Sequence, residues 1–202
     1  MAGTMISIGG SVFLSLADSN KIIGAILFSV ALLCICMQGY SLYTGKIGFV
    51  LTDRSKEAMG VLWLGLIGNI IATVLFGLAL GYALPNIVDT ASTICNAKLD
   101  QQLLQAFIRA TFCGILMYQA VSIFKNHNKN TLGIFFCIPV FILSGFEHSI
   151  ANIFYFSAAG IFSIDVVIYI LVVIIGNSVG AILFDLPSVF KKTQEIASDE
   201  KR

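Results

Sequence analysis

The chain has 202 residues, of which 57% are hydrophobic and 11% charged, with 12 Lys and Arg set against 11 Asp and Glu. A mean hydropathy of +0.92 excludes a soluble globular domain for most of its length, and the near-neutral charge excludes a nucleic-acid binder. What remains is an all-α integral membrane protein, read as a single transmembrane domain over residues 1–202.

Six apolar stretches are each close to the roughly 20 residues that cross a bilayer core. Residues 1–17 form the first, at the lower limit of a span, which makes helix one either short or clipped. It lacks the basic leader and small-residue cleavage site of a signal peptide. Residues 22–51 are longer than a span requires and are interrupted by Gln38-Gly39-Tyr40-Ser41; residues 58–84 follow with a Gly68-Asn69 pair. Residues 85–102 read as a polar outer loop. Residues 103–124 carry Arg109, and a short turn at 125–130 leaves His127 solvated. Residues 132–161 are again over-long and broken at Ser144 to Ser149, and residues 166–184 carry Gly176-Asn177. Residues 187–202 form a charged tail, helical from Ser188.

Two over-long stretches with polar breaks, each followed by a Gly-Asn pair about 30 positions later, divide the chain into repeats at 1–84 and 103–186. Three spans per repeat is an odd number, so the second repeat is inverted relative to the first, the plan in which broken helices meet near the midplane. The alternative is chance recurrence of small residues in packing seams. One set of loops holds Arg54, Lys56, Lys125, Lys129, Lys191, Lys192, Lys201 and Arg202; the other holds Lys21 and Lys98. This bias puts both termini in the cytoplasm.

The second break carries the ionisable groups Glu147 and His148 at membrane depth, which marks a functional site by default. A broken helix leaves unpaired backbone groups that need protein partners or a water-lined cavity. The half-helix restarting near His148 presents N–H groups suited to an anion, and histidine titrates near neutrality. Glu147 is expected to be hydrogen-bonded support. Asn152, four residues after His148, shares its face and could hold the imidazole or the broken backbone. Thr44 stands at the facing break. The competing reading is a satisfied polar network without a ligand. The five cysteines, Cys34, Cys36, Cys95, Cys113 and Cys137, show no disulfide or metal spacing, and no catalytic constellation, cofactor motif or phosphate loop is present.

The strings GFEHSIANIF at 145–154 and GYSLYTG at 39–45, with the two Gly-Asn pairs, resemble the formate/nitrite transporter family of formate, nitrite and hydrosulfide channels. That resemblance implies a homopentamer of six-helix, aquaporin-like protomers, each with its own pore. By motif it makes His148 the central pore histidine with Thr44 opposite and Glu147 and Asn152 as support. It also makes Phe28, Leu32, Leu42, Tyr43, Val121 and Phe141 constriction residues, and Lys98 a register-shifted vestibule lysine. Tyr118 stands where the family commonly has asparagine, and the family's amphipathic N-terminal segment and the first half of helix one are missing here.

The implied function is a channel in the cell inner membrane for small monovalent weak-acid anions, formate or nitrite first and hydrosulfide, acetate or lactate as alternatives, moved together with a proton. A cationic vestibule would gather the anion, and His148 would supply the proton or stabilise charge midway. Readings of other classes are a neutral-solute pore and a non-transporting membrane subunit; an enzyme is least supported.

Overall fold

The computed structural model describes the backbone of residues 1–199 and the side chains of residues 1–190. The expected cytoplasmic basic groups at Lys191, Lys192, Lys201 and Arg202 therefore lie outside the described side chains.

Nine α-helices run through the described residues without a strand among them: α1 (Ala2–Leu16), α2 (Lys21–Gln38), α3 (Tyr43–Lys46), α4 (Lys56–Ala83), α5 (Val88–Leu99), α6 (Leu103–Asn126), α7 (Leu132–Leu143), α8 (Ser149–Ala158) and α9 (Ile164–Asp199). A 3-10 turn, Ile47–Leu51, continues α3. Helices α2, α4, α6 and the Ile164–Phe190 part of α9 are long and apolar enough to cross a membrane, while α1 and α7 are shorter apolar helices.

Local chemistry explains the starts. Asn20 Oδ1 accepts the Ile23 N–H to cap α2, and Ser55 Oγ accepts the Ala58 N–H to cap α4. Helix α4 has apolar residues on all sides, and Leu64, Ile67, Ile71 and Leu75 stay exposed along its outer surface. In water such a surface would aggregate; in a bilayer it meets lipid or another subunit.

The two halves interlock. Helix α8 packs along α4, and α3 with its 3-10 turn packs against α6 and α9. The short helix of each half thus lies on long helices of the other half. Helices α6 and α9 cross so closely that a Cβ at Gly114 would overlap the Asn177 carbonyl and one at Gly180 the Thr111 carbonyl.

Two boundaries differ from those read in the sequence. Residues 85–102 are not merely a polar outer loop, because Ile87, at the end of a 3-10 turn that leads into α5, and Ala91 and Cys95 of α5 are completely buried. Four-residue spacing puts these three on one helix face, so a largely polar segment still docks, chiefly on α8. The tail expected to begin at Pro187 is continuous with the last apolar helix, since α9 passes through Pro187 as a single 36-residue helix.

Candidate functional site at the two helix breaks

Helix α2 ends at Gly39 and α7 stops just before Gly145, and both glycines have φ of 69°. This left-handed conformation is cheap only for glycine, and it turns the chain out of the helix. In each case the glycine and the residue after it bond back to the helix: Gly39 and Tyr40 N–H to the Cys36 and Ile35 carbonyls, Gly145 and Phe146 N–H to those of Ile142 and Phe141. Leu42 (φ −96°, ψ 122°) and His148 (φ −105°, ψ 115°) then cap the following short helices in nearly the same extended conformation.

The Gly-Asn asparagines close both gaps. Asn69 accepts the Tyr43 N–H at 2.9 Å and donates to the Ser41 carbonyl at 3.0 Å. Asn177 accepts the Ser149 N–H at 2.9 Å and donates to the Glu147 carbonyl at 2.7 Å, with a further bond to the Ala110 carbonyl at 2.8 Å. The bridged pair begins two residues past the glycine in both breaks. These amides satisfy backbone groups that a membrane interior cannot hydrate.

This matching pairs Leu42 with His148 and Ser41 with Glu147. The residue facing His148 is nonetheless Thr44, whose Oγ1 lies 2.9 Å from His148 Nε2. His148 Nδ1 accepts the Ala151 N–H at 3.1 Å, so it carries no proton. The ring is therefore the neutral tautomer that donates from Nε2 to Thr44. Phe141 stacks on the imidazole with ring centroids 5.6 Å apart, and Phe28 meets Phe141 edge-on at 6.3 Å.

Glu147 is buried and ion-paired to Lys98. Gln101 Nε2 donates to its Oε1 at 3.1 Å and to the Tyr169 hydroxyl at 2.9 Å, and Asn152 Nδ2 donates to its Oε2 at 2.9 Å. A carboxylate at this depth needs such compensation, and α5 delivers Lys98 to provide it. Asn152 accordingly supports Glu147, not the imidazole or the broken backbone.

Two cavities approach this centre from opposite ends. One, of about 360 Å³, reaches Phe141, His148 and Asn152, and its charged residues are Asp18, Lys21 and Asp89. The other, of about 320 Å³, reaches Leu32, Leu42 and Val121, and its charged residues are Lys46 and Lys125. Thr44 and Phe28 are buried and line neither cavity.

Several sequence expectations change. Lys98 is not a lining residue of the first cavity, because its ammonium is taken by Glu147. That cavity's charged lining is two aspartates and one lysine, not a cationic vestibule. Tyr43 turns away from both cavities: its hydroxyl lies 2.9 Å from Ser178 Oγ and its ring packs near Trp63. Tyr118, whose hydroxyl bonds to Asp185, packs its ring on Phe49. Reading the sequence also passed over Lys46, which sits inside an otherwise apolar stretch, and Tyr40 and Phe124, which line the second cavity.

An all-helical membrane protein with one cavity ending at a buried histidine and a second at the facing helix break has the architecture of a channel or transporter. Residues 1–189 match the model of the formate/nitrite transporter family, and the chain belongs to that family. Among its relatives, the nitrite transporter NirC of Salmonella typhimurium is 25% identical over 174 residues, covering 78% of this chain and 65% of NirC. The formate-nitrite transporter of Plasmodium malariae is 28% identical over 159 residues, 69% of this chain and 51% of its own length. The chain thus spans between half and two thirds of these relatives. An FNT family ion channel shares the fold with a TM-score of 0.78 at 23% identity, over 91% of this chain and 84% of its own. A pentameric formate channel with formate bound gives 0.73 at 22% identity, over 91% and 90%.

Proposed function

We propose that this chain conducts small monovalent weak-acid anions, formate or nitrite first, each with a proton, through a pore within the protomer. The observation that carries this reading is the buried Thr44–His148 hydrogen bond, with His148 lining one cavity, Leu42 and Gly45 beside Thr44 lining the other, and Phe141 stacked on the imidazole with Phe28 edge-on to it. Its membrane part comprises six crossings in two inverted repeats, 1–84 and 103–186, with broken second and fifth spans, in the cytoplasmic membrane with both termini inside. The functional form is a homopentamer.

A dehydrated anion in an apolar constriction forfeits on the order of ten kcal/mol or more of hydration, and a neutral acid far less. As water is stripped away the anion's proton affinity rises, because low dielectric disfavours the charged form. The proton is taken from water in the mouth, and the neutral acid passes Phe28, Leu32, Leu42, Val121 and Phe141. His148 is a fixed hydrogen-bond donor at the midpoint, acting with the Thr44 hydroxyl. It does not supply the transported proton, because its Nδ1 is committed to capping α8. Glu147, Lys98 and Asn152 hold the capping turn in place.

Purified protein in liposomes is expected to admit formate, nitrite or hydrosulfide faster as pH falls from about 8 to about 5, with proton co-movement. Glycerol entry should stay at the background rate. Flux independent of pH, or glycerol entry matching formate, would overturn the reading in favour of a neutral-solute pore. No flux of any solute favours a non-transporting subunit.

A further inference from the structure

The charged lining differs between the two mouths. In the cavity below His148 and Phe141 the ionisable side chains are Asp18, Asp89 and Lys21, with Thr90 Oγ1 bonded to Asp18 Oδ2 at 2.9 Å. In the cavity below Leu32, Leu42 and Val121 the charged residues are two lysines, Lys46 and Lys125, and no carboxylate lines it among the described residues. Asp53 and Glu57 line an adjoining cavity that shares Lys46, Phe49 and Lys125.

Lys46 is half-buried, and Lys125 is exposed but held by a ring contact. Lys46 ends α3, the short helix whose first N–H is held by Asn69. The Lys125 ammonium sits 4.2 Å from the centre of the Phe49 ring. Phe49 packs on Tyr118 at 5.0 Å, and Tyr118 is tied to the buried Asp185. This chain of contacts gives Tyr118 a structural purpose, the placement of Phe49 under Lys125.

We infer that Lys46 and Lys125 form an anion-collecting subsite, which makes their mouth the one that captures a small monovalent carboxylate or oxyanion at low concentration. The inference rests on the anion-transport reading above and adds a sidedness to it. Two fixed cations in a low-dielectric funnel raise the local anion concentration roughly tenfold or more, and the effect weakens with salt. The opposite mouth, with two carboxylates and one ammonium, has no such enrichment. A passive pore still equilibrates both ways, so the asymmetry lies in half-saturation and not in direction.

The test is initial formate flux from each side of vesicles holding protein in one orientation, at low and high ionic strength. Half-saturation from the Lys46/Lys125 side should be lower, and should rise severalfold with salt while the other side stays flat. In Lys46→Gln/Lys125→Gln protein the half-saturating concentration from that side should rise about tenfold, with Lys46→Arg/Lys125→Arg restoring it. The effect should fall on half-saturation rather than on the saturated rate. Equal half-saturation from both sides of the wild type, insensitive to salt, overturns the inference, and this comparison stands even where the double variant does not assemble. Unaltered half-saturation in a folded, conducting Gln variant also overturns it. Absence of all wild-type flux overturns the transport reading and this inference together.

Discussion

The two breaks solve one backbone problem in the same way and then diverge in chemistry. Gly39 and Gly145 share their φ, Leu42 and His148 share a capping conformation, and Asn69 and Asn177 span the gaps with the same acceptor and donor pattern. On that common frame the first break carries Ser41 and Leu42, the second Glu147 and His148. The polar cost follows the side chains. Ser41 needs only a bond to the Val61 carbonyl at 3.3 Å, whereas Glu147 recruits Lys98, Gln101 and Asn152. Two breaks of like geometry can therefore hold a one-sided site, provided that a separate element, here α5, supplies the countercharge.

The comparison can be broken most forcefully at the countercharge. Lys98→Met should destabilise the folded protein by about 3–5 kcal/mol by stranding the Glu147 carboxylate, and Lys98→Met/Glu147→Gln should recover much of it. Thermal unfolding in detergent measures both, and equal melting temperatures for the single and double variants would remove the ion pair from the account.

Next come the asparagines. Asn177→Ala removes three buried hydrogen bonds and Asn69→Ala two, at about 0.6–2 kcal/mol each in a membrane interior. Both should lower the melting temperature, the former more. A larger loss at Asn69 would show that the two bridges are not equivalent devices.

His148→Leu makes the second break resemble the first. The fold should survive with about 1 kcal/mol lost from the missing α8 cap, because Leu42 already occupies the equivalent position without a side-chain cap. Formate flux at acidic pH should change by about tenfold or more, reported by liposome entry assays, since a midpoint hydrogen-bond donor contributes about 1.4 kcal/mol or more there. The smallest effect is expected from Tyr43→Phe, which loses one hydroxyl contact to Ser178 outside both cavities. Stability should fall by about 0.5–1.5 kcal/mol with flux selectivity between formate and nitrite unchanged. A changed selectivity would return Tyr43 to the pore.

Much of the frame was legible because membrane helices advertise themselves by composition and breaks by glycine and polar residues. The positions of all the long apolar helices, the two interruptions and the Glu-His pair were readable in that way. Residue-level roles were less so. Thr44 was identified as the partner of His148, but Lys98 was taken for a lining cation because sequence spacing says nothing about which buried acid claims it. Tyr43 was placed in the pore by motif, whereas its ring follows the direction of a four-residue helix that only packing on α4, α6 and α9 sets. The docking of α5 was missed although Ile87, Ala91 and Cys95 carry the helical period, since hydropathy averaged over a polar segment hides one apolar face.

Hydropathy and glycine placement, both local properties, thus settle that this chain is an all-helical membrane protein and where its helices must end. Which side chains meet is a non-local matter. The neutral tautomer of His148, the pairing of Glu147 with Lys98 and the unlike charges of the two mouths arise only when helices distant in sequence are packed together, because hydrogen bonds and ion pairs depend on separations of a few ångströms that no spacing along the chain encodes.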